Sequence, residues 1–116
     1  MIVNTGISDQ VKTDMMKLID AFELYYKEMF GILNPESLKR YKEMIHLIRE
    51  FEIYRQRIYS LENLNVDFSR DFEYWCIQEK HHPNKTIRRN LRSFRIVSLY
   101  IKNKAVIYNP KSFSNN

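Results

Sequence analysis

The last 36 residues, His81 to Asn116, contain no aspartate and no glutamate. Several residue types are also scarce along the whole chain of 116 residues, and each scarcity removes a class of protein. A single cysteine, Cys76, excludes an intrachain disulfide, which fits a reducing compartment. Two glycines (Gly6 and Gly31) and three prolines (Pro35, Pro83 and Pro110) leave little material for the turns of a β-sandwich. The same two glycines exclude the phosphate-cradling loops G-x-x-x-x-G-K-[ST] and G-x-G-x-x-G. No apolar run is longer than a few residues, so no segment reads as a membrane span. The opening ten residues lack a basic stretch leading into an apolar one, so no secretory signal is read there. These absences make a soluble, cytoplasmic protein the expectation.

What is present is apolar and aromatic: 44% hydrophobic residues, with sixteen aromatic side chains among them. A chain of this size forms one domain and buries roughly two-thirds of its unfolded surface. The apolar residues repeat at helical spacing. Val11, Met15, Leu18, Phe22, Tyr25 and Met29 step by threes and fours, with Ile19, Tyr26 and Phe30 widening the stripe. Ser8 or Asp9 can cap that helix, and Gly31 with Asn34-Pro35 ends it. Pro35 suits the first turn of a second helix carrying Leu38, Tyr41, Met44, Ile45, Ile48 and Phe51. Ser60 to Asp67 reads as a connector. Asp67 or Ser69 caps a third helix with Phe68, Phe72, Trp75 and Cys76 inward. After a loop from His81 to Lys85, Thr86 caps a fourth, with Ile87, Leu91, Phe94, Val97 and Ile101 on one side. The predicted spans are 8–30, 36–57, 67–80 and 86–103. Four amphipathic helices bury their stripes against one another, so the expected fold is a compact all-α domain over residues 1–103, with 104–116 as a linker.

The charges are unevenly placed. Eight lysines and arginines fall in the acid-free segment (Lys85, Arg88, Arg89, Arg92, Arg95, Lys102, Lys104 and Lys111), and the other eleven share the remaining 80 residues with all fourteen acids. A +8 block therefore sits on a body of −3, and concentrated charge of one sign attracts polyanions. At 100° per residue, Lys85, Arg88, Arg89, Arg92 and Arg95 span about 120° on the side away from Ile87, Leu91 and Phe94. A basic stripe is most often a solvated face. Here no acid is interspersed to form i, i+4 pairs, and four of the five are arginine, whose planar fork suits phosphate. A weaker stripe, Lys39, Lys42, His46 and Arg49, shares an arc of about 80° on the second helix. We expect it to wall a groove together with the fourth helix.

Catalysis has no carrier of comparable quality. Cys76 with the adjacent His81 and His82 falls short of a zinc ligand set, and adjacent histidines point in different directions. His46 and Arg49 spell H-x-x-R, but within a helix whose pattern is structural. Phe68, Phe72 and Trp75 at helical spacing are read as core. No cofactor and no metal are expected.

Four stretches, in order, resemble the core-binding, SAM-like domain of the tyrosine recombinases, the phage-integrase family, in the form common in mobile elements of the Bacteroidetes. Ser37-Leu-Lys-Arg-Tyr-Lys with Ile48 and Phe51 is similar to the family's T-x-x-x-Y second helix. Leu64-Asn-Val-Asp-Phe-Ser-Arg-Asp-Phe-Glu-Tyr-Trp is similar to I-x-x-x-F-x-x-D-F-x-x-Y-L. Asn84-Lys-Thr-Ile with Leu91 and Phe94 is similar to N-T-I followed by L-x-x-F-L. Lys104-Ala-Val-Ile-Tyr-Asn-Pro is similar to the G-x-I-x-x-N-P exit strand and linker, with Lys104 in the glycine place. The resemblance implies a four-helix domain that clamps double-stranded DNA at a recombination half-site. Lys85, Thr86, Arg88, Arg89, Arg92 and Arg95 would then lie at the DNA, as would Lys39, Lys42 and Arg49. It further implies partners: a catalytic domain of the same parent chain, and neighbouring recombinase protomers. The family's catalytic Arg, Lys, H-x-x-R and Tyr follow the N-P linker, so the expectation is a binding domain and not an enzyme. The rival expectations are a helical module whose basic face docks an acidic protein, and an RNA binder lacking the usual RNA-module signatures.

Overall fold

The computed structural model describes the backbone of residues 15–107. Four α-helices follow one another: α1 (Leu18–Met29), α2 (Pro35–Arg55), α3 (Val66–Gln78) and α4 (Asn84–Ile107), with a short 3-10 helix at Leu61–Asn63 before α3. No strand is present among the described residues, and the all-α expectation holds. An isolated antiparallel bridge, Lys17 to Ser60, ties the entry of α1 to the connector after α2.

The start of α1 corrects the expected span of 8–30. Residues 8–14, with Val11 and both proposed caps, lie outside the described residues, and Lys17 is extended rather than helical. The reason is pairing: Leu18 N–H donates to Tyr59 O and Leu61 N–H donates to Met16 O, both at 2.9 Å. These bonds engage backbone groups on both sides of Lys17, and a helix running through it would break them. Met15, expected on the core stripe, is consequently 62% exposed. Gly31 closes the other end of α1 at φ +89°, where a side chain would be strained although nothing crowds the position.

Helix α2 begins as its sequence requires. Asn34 Oδ1 accepts from Ser37 N–H at 2.8 Å, and Pro35 takes the first helical position. It ends at Arg55 rather than residue 57 because Gln56 turns left-handed, at φ 55°. Helix α3 starts one residue early, capped by Asn65 rather than Asp67 or Ser69: Asn65 Oδ1 accepts from Phe68 N–H at 2.9 Å. In α4 the helix includes Asn84 and Lys85, so Thr86 lies inside the first turn and is not the cap. The helix also continues to Ile107, so the segment expected as an exit strand and linker is helical from Lys104 to Ile107. The Asn109-Pro110 part of it lies outside the described residues.

The helices enclose one aromatic core. Phe22, Phe51, Phe68, Phe72, Trp75 and Phe94 are buried, drawn from all four helices. Phe72 and Phe94 meet edge-on with ring centres 5.0 Å apart, Phe68 and Phe94 at 5.1 Å, and Phe51 and Phe72 at 5.2 Å. Glu52 is buried at the end of α2 and accepts from Tyr59 N–H at 3.0 Å, fixing the turn that carries the chain to Ser60. The packing leaves the opposite side of α4 facing outward along its length.

Candidate nucleic-acid interface

Helix α4 is a two-sided element. Ile87, Asn90, Ser93, Phe94, Val97 and Ile101 are buried, while Lys85, Arg88, Arg89, Arg92 and Arg95 are all exposed. Among the described residues, the ion pairs between side chains are Arg49–Glu23, Arg55–Asp71, Lys80–Glu50 and Lys104–Glu28, and none of these five basic residues is in them. The helix itself supplies no carboxylate from Asn84 to Ile107 to neutralise them. From Lys85 to Arg95 the row spans about 15 Å at 1.5 Å per residue. Over that rise one strand of duplex carries about four phosphates.

Between the two basic stripes, the cleft that the structure shows is lined by other residues of α2. Arg49 turns toward α1, its Nη2 donating to Glu23 Oε2 at 3.0 Å. Lys39, Lys42 and His46 are exposed, but the part of α2 that faces α4 is a different flank. Arg40, Glu43 and Leu47 of α2 and Thr86 and Arg89 of α4 line a cleft of about 220 Å³, with His82 of the preceding loop also in its wall. Lys39, Lys42 and Arg49 are not among the residues that line this cleft. Arg40 does line it, placed about 100° round the helix from Lys39.

Arg40 and His82 are the residues that charge counting missed. Arg40 Nε and His82 Nδ1 are shut off from solvent and have no hydrogen-bond partner among the described residues. The Arg40 guanidinium sits over the Tyr41 ring, 5.7 Å from its centre. Burial, and then Lys80, hold the His82 imidazole below the ordinary histidine range, against a smaller pull from Glu50. The available signal was spacing: Arg40, Glu43 and Leu47 step by three and four beside the apolar face, where long side chains pack their stems and keep their heads at the edge.

On its other flank α4 meets the start of α3. Arg95, Leu99 and Lys102 line a second groove with Leu64, Val66 and Arg70. Its apolar rim, Val66 and Leu99, is open to solvent.

Cys76 is fully buried, and burial pushes its thiol up to about 12, so no thiolate is available as ligand or nucleophile. No group of three or more His, Cys, Asp or Glu among the described residues could hold a metal ion. No helix among them is long and apolar enough to cross a membrane.

No curated protein and no solved structure matched the chain. A family model, the phage integrase SAM-like domain, matches residues 17–112, which takes in all four helices. The chain belongs to the phage integrase SAM-like domain family.

Proposed function

We propose that this domain binds double-stranded DNA as the core-binding part of a site-specific tyrosine recombinase, gripping a recombination half-site through α4. One observation carries the reading: an exposed row of guanidinium groups, unpaired with any described carboxylate, along the outer side of a helix whose inner side is anchored in the core. Arginine presents several donors in a plane and sheds water more readily than lysine, so such a row suits a phosphate backbone. Contacts of this kind set affinity and position, while base readout is limited to side chains near the start of α4. The order of the four motif stretches supports a parent of the Bacteroidetes mobile-element form. Its chemistry would belong to a separate catalytic domain of that parent, with neighbouring protomers meeting on the DNA.

Salt dependence tests the reading. Five or six neutralised phosphates give a log K against log salt slope of about −5. A labelled duplex titrated from low to high salt is expected to return that value, and a flat line would defeat the proposal. Replacing Arg88, Arg92 and Arg95 together by Glu is expected to abolish binding while the helical circular dichroism stays unchanged. Undiminished affinity in that variant would move the interface elsewhere.

A second reading is favoured by the groove between α3 and α4, where exposed Val66 and Leu99 lie beside Arg70, Arg95 and Lys102, with Glu73 the one acid of the lining. Apolar anchors rimmed by positive charge suit an acidic amphipathic helix of a partner protein. Indifference to duplex, together with saturable binding of such a peptide, would decide for it.

A further inference from the structure

The cleft between α2 and α4 has features that the open row on α4 does not. Two arginines, Arg40 and Arg89, line it from different helices, and Glu43 is the one acidic residue of its lining. Arg40 Nε and His82 Nδ1 are shut off from solvent and beyond the reach of an external group, so the other nitrogens of these two lining side chains are the ones the cleft offers an anion. The cleft also borders the first turn of α4, where Ile87 N–H makes the first backbone bond, to Pro83 O at 3.1 Å. The amides before it have no helical acceptor, and the positive end of the helix dipole favours an anion.

We propose that this cleft seats a single phosphate of the DNA backbone, held by Arg40 and Arg89 with Thr86 and His82 beside it. The inference rests on the DNA-binding reading and adds a register to it. A row of exposed arginines tolerates sliding along the duplex. A half-buried seat walled by two helices accepts one phosphate in one place, and so fixes which bases face the start of α4. Glu43 on the same wall penalises any more negative or poorly placed group.

The test compares variants of the 116-residue chain against one labelled duplex over a range of salt. Arg40→Gln and Arg89→Gln are each expected to lower affinity by at least about tenfold. Each is also expected to make the log–log slope shallower by about 0.9. Arg40→Lys keeps the charge and the slope but loses affinity, because a lysine cannot reproduce the planar fork. Glu43→Gln, which removes no packing, is expected to tighten binding, and thermal melting of every variant checks that the bundle persists. If Arg40→Gln and Glu43→Gln both bind like the parent chain while Arg92→Gln binds weakly, the cleft is overturned and the DNA reading stands. A flat slope in the parent chain overturns both. The source of the phosphate is read from the His82 ring nitrogens by NMR at constant ionic strength. Movement with duplex at concentrations where inorganic phosphate has no effect supports a backbone phosphate. Saturation by inorganic phosphate alone, with no response to duplex, would overturn it.

Discussion

Glu52 shows how a single side chain can be both a structural tie and a pH-dependent cost. Its carboxylate is buried where it accepts from Tyr59 N–H, and burial raises its pKa above the ordinary glutamate value of 4.5 despite that bond. A carboxyl with a raised native pKa holds its proton longer in the folded state than in the unfolded one. Its contribution to stability is therefore most favourable in acid and declines as pH rises through the window above 4.5. Glu52→Gln keeps an acceptor for Tyr59 and removes the charge. The variant is expected to melt higher than the parent at neutral pH, with the difference vanishing below the ordinary glutamate range. Equal melting temperatures at pH 7 would show that Glu52 is fully solvated. Nothing in the sequence pointed to this residue, because the apolar spacing of α2 marks Ile48 and Phe51 and passes over the acid beside them.

At the scale of the element, helix starts were harder to read than helix faces. Asn34 and Asn65 hold the turns before α2 and α3, accepting at 2.8 and 2.9 Å, and Asn63 Oδ1 holds the 3-10 helix by accepting from Ser60 N–H at 2.8 Å. Asp67 and Ser69 were equally plausible caps by residue type, since Asn, Asp, Ser and Thr offer similar side-chain acceptors. The backbone path from the 3-10 helix decided between them by presenting Asn65 in the extended conformation that a cap needs. Asn65→Ala is expected to cost about 1 kcal/mol in chemical denaturation. Asp67→Ala is expected to cost less, because that residue is exposed inside the first turn and caps nothing. The reverse order would return the cap to Asp67. The face of α4, by contrast, was readable from spacing: the five basic residues expected outward are exposed, and of those expected inward Ile87, Phe94, Val97 and Ile101 are buried and Leu91 is partly so.

For the molecule as a whole, one cluster joins the first helix to the last. Lys104 Nζ donates to both oxygens of Glu28, at 2.7 and 2.6 Å, and the Tyr100 hydroxyl donates to Glu28 Oε1. These hydrogen bonds, Lys104 first and then Tyr100, hold the Glu28 carboxyl below the ordinary glutamate range. A depressed native pKa contributes stability above the ordinary value that is lost as pH falls through the folded one, opposite in sign to Glu52. Lys104→Met is expected to weaken that acid-side dependence, leaving the Tyr100 bond, and to let the end of α4 exchange amide hydrogen faster. Unchanged exchange from Lys102 onward would show that the clasp does not hold the helix. Lys104 had been counted with the basic block and expected at a linker, yet the fold uses it as an internal tie between α1 and α4.

The sequence by itself determined the class of fold and the outward row on α4. Both follow from periodicity, since a helix of 3.6 residues per turn must sort an acid-free, arginine-rich stretch from Ile87, Phe94 and Val97 on opposite sides. It also determined the family, through motif order along one chain. The tertiary structure decided where helices start and stop, because Lys17 was drawn out of α1 by pairing with residues more than forty positions away. It likewise decided that Arg40, and not Lys39 or Arg49, lines the cleft that Arg89 borders, because the angle at which two helices pack selects which flank of each becomes a shared wall. Spacing within one helix carries no information about that angle.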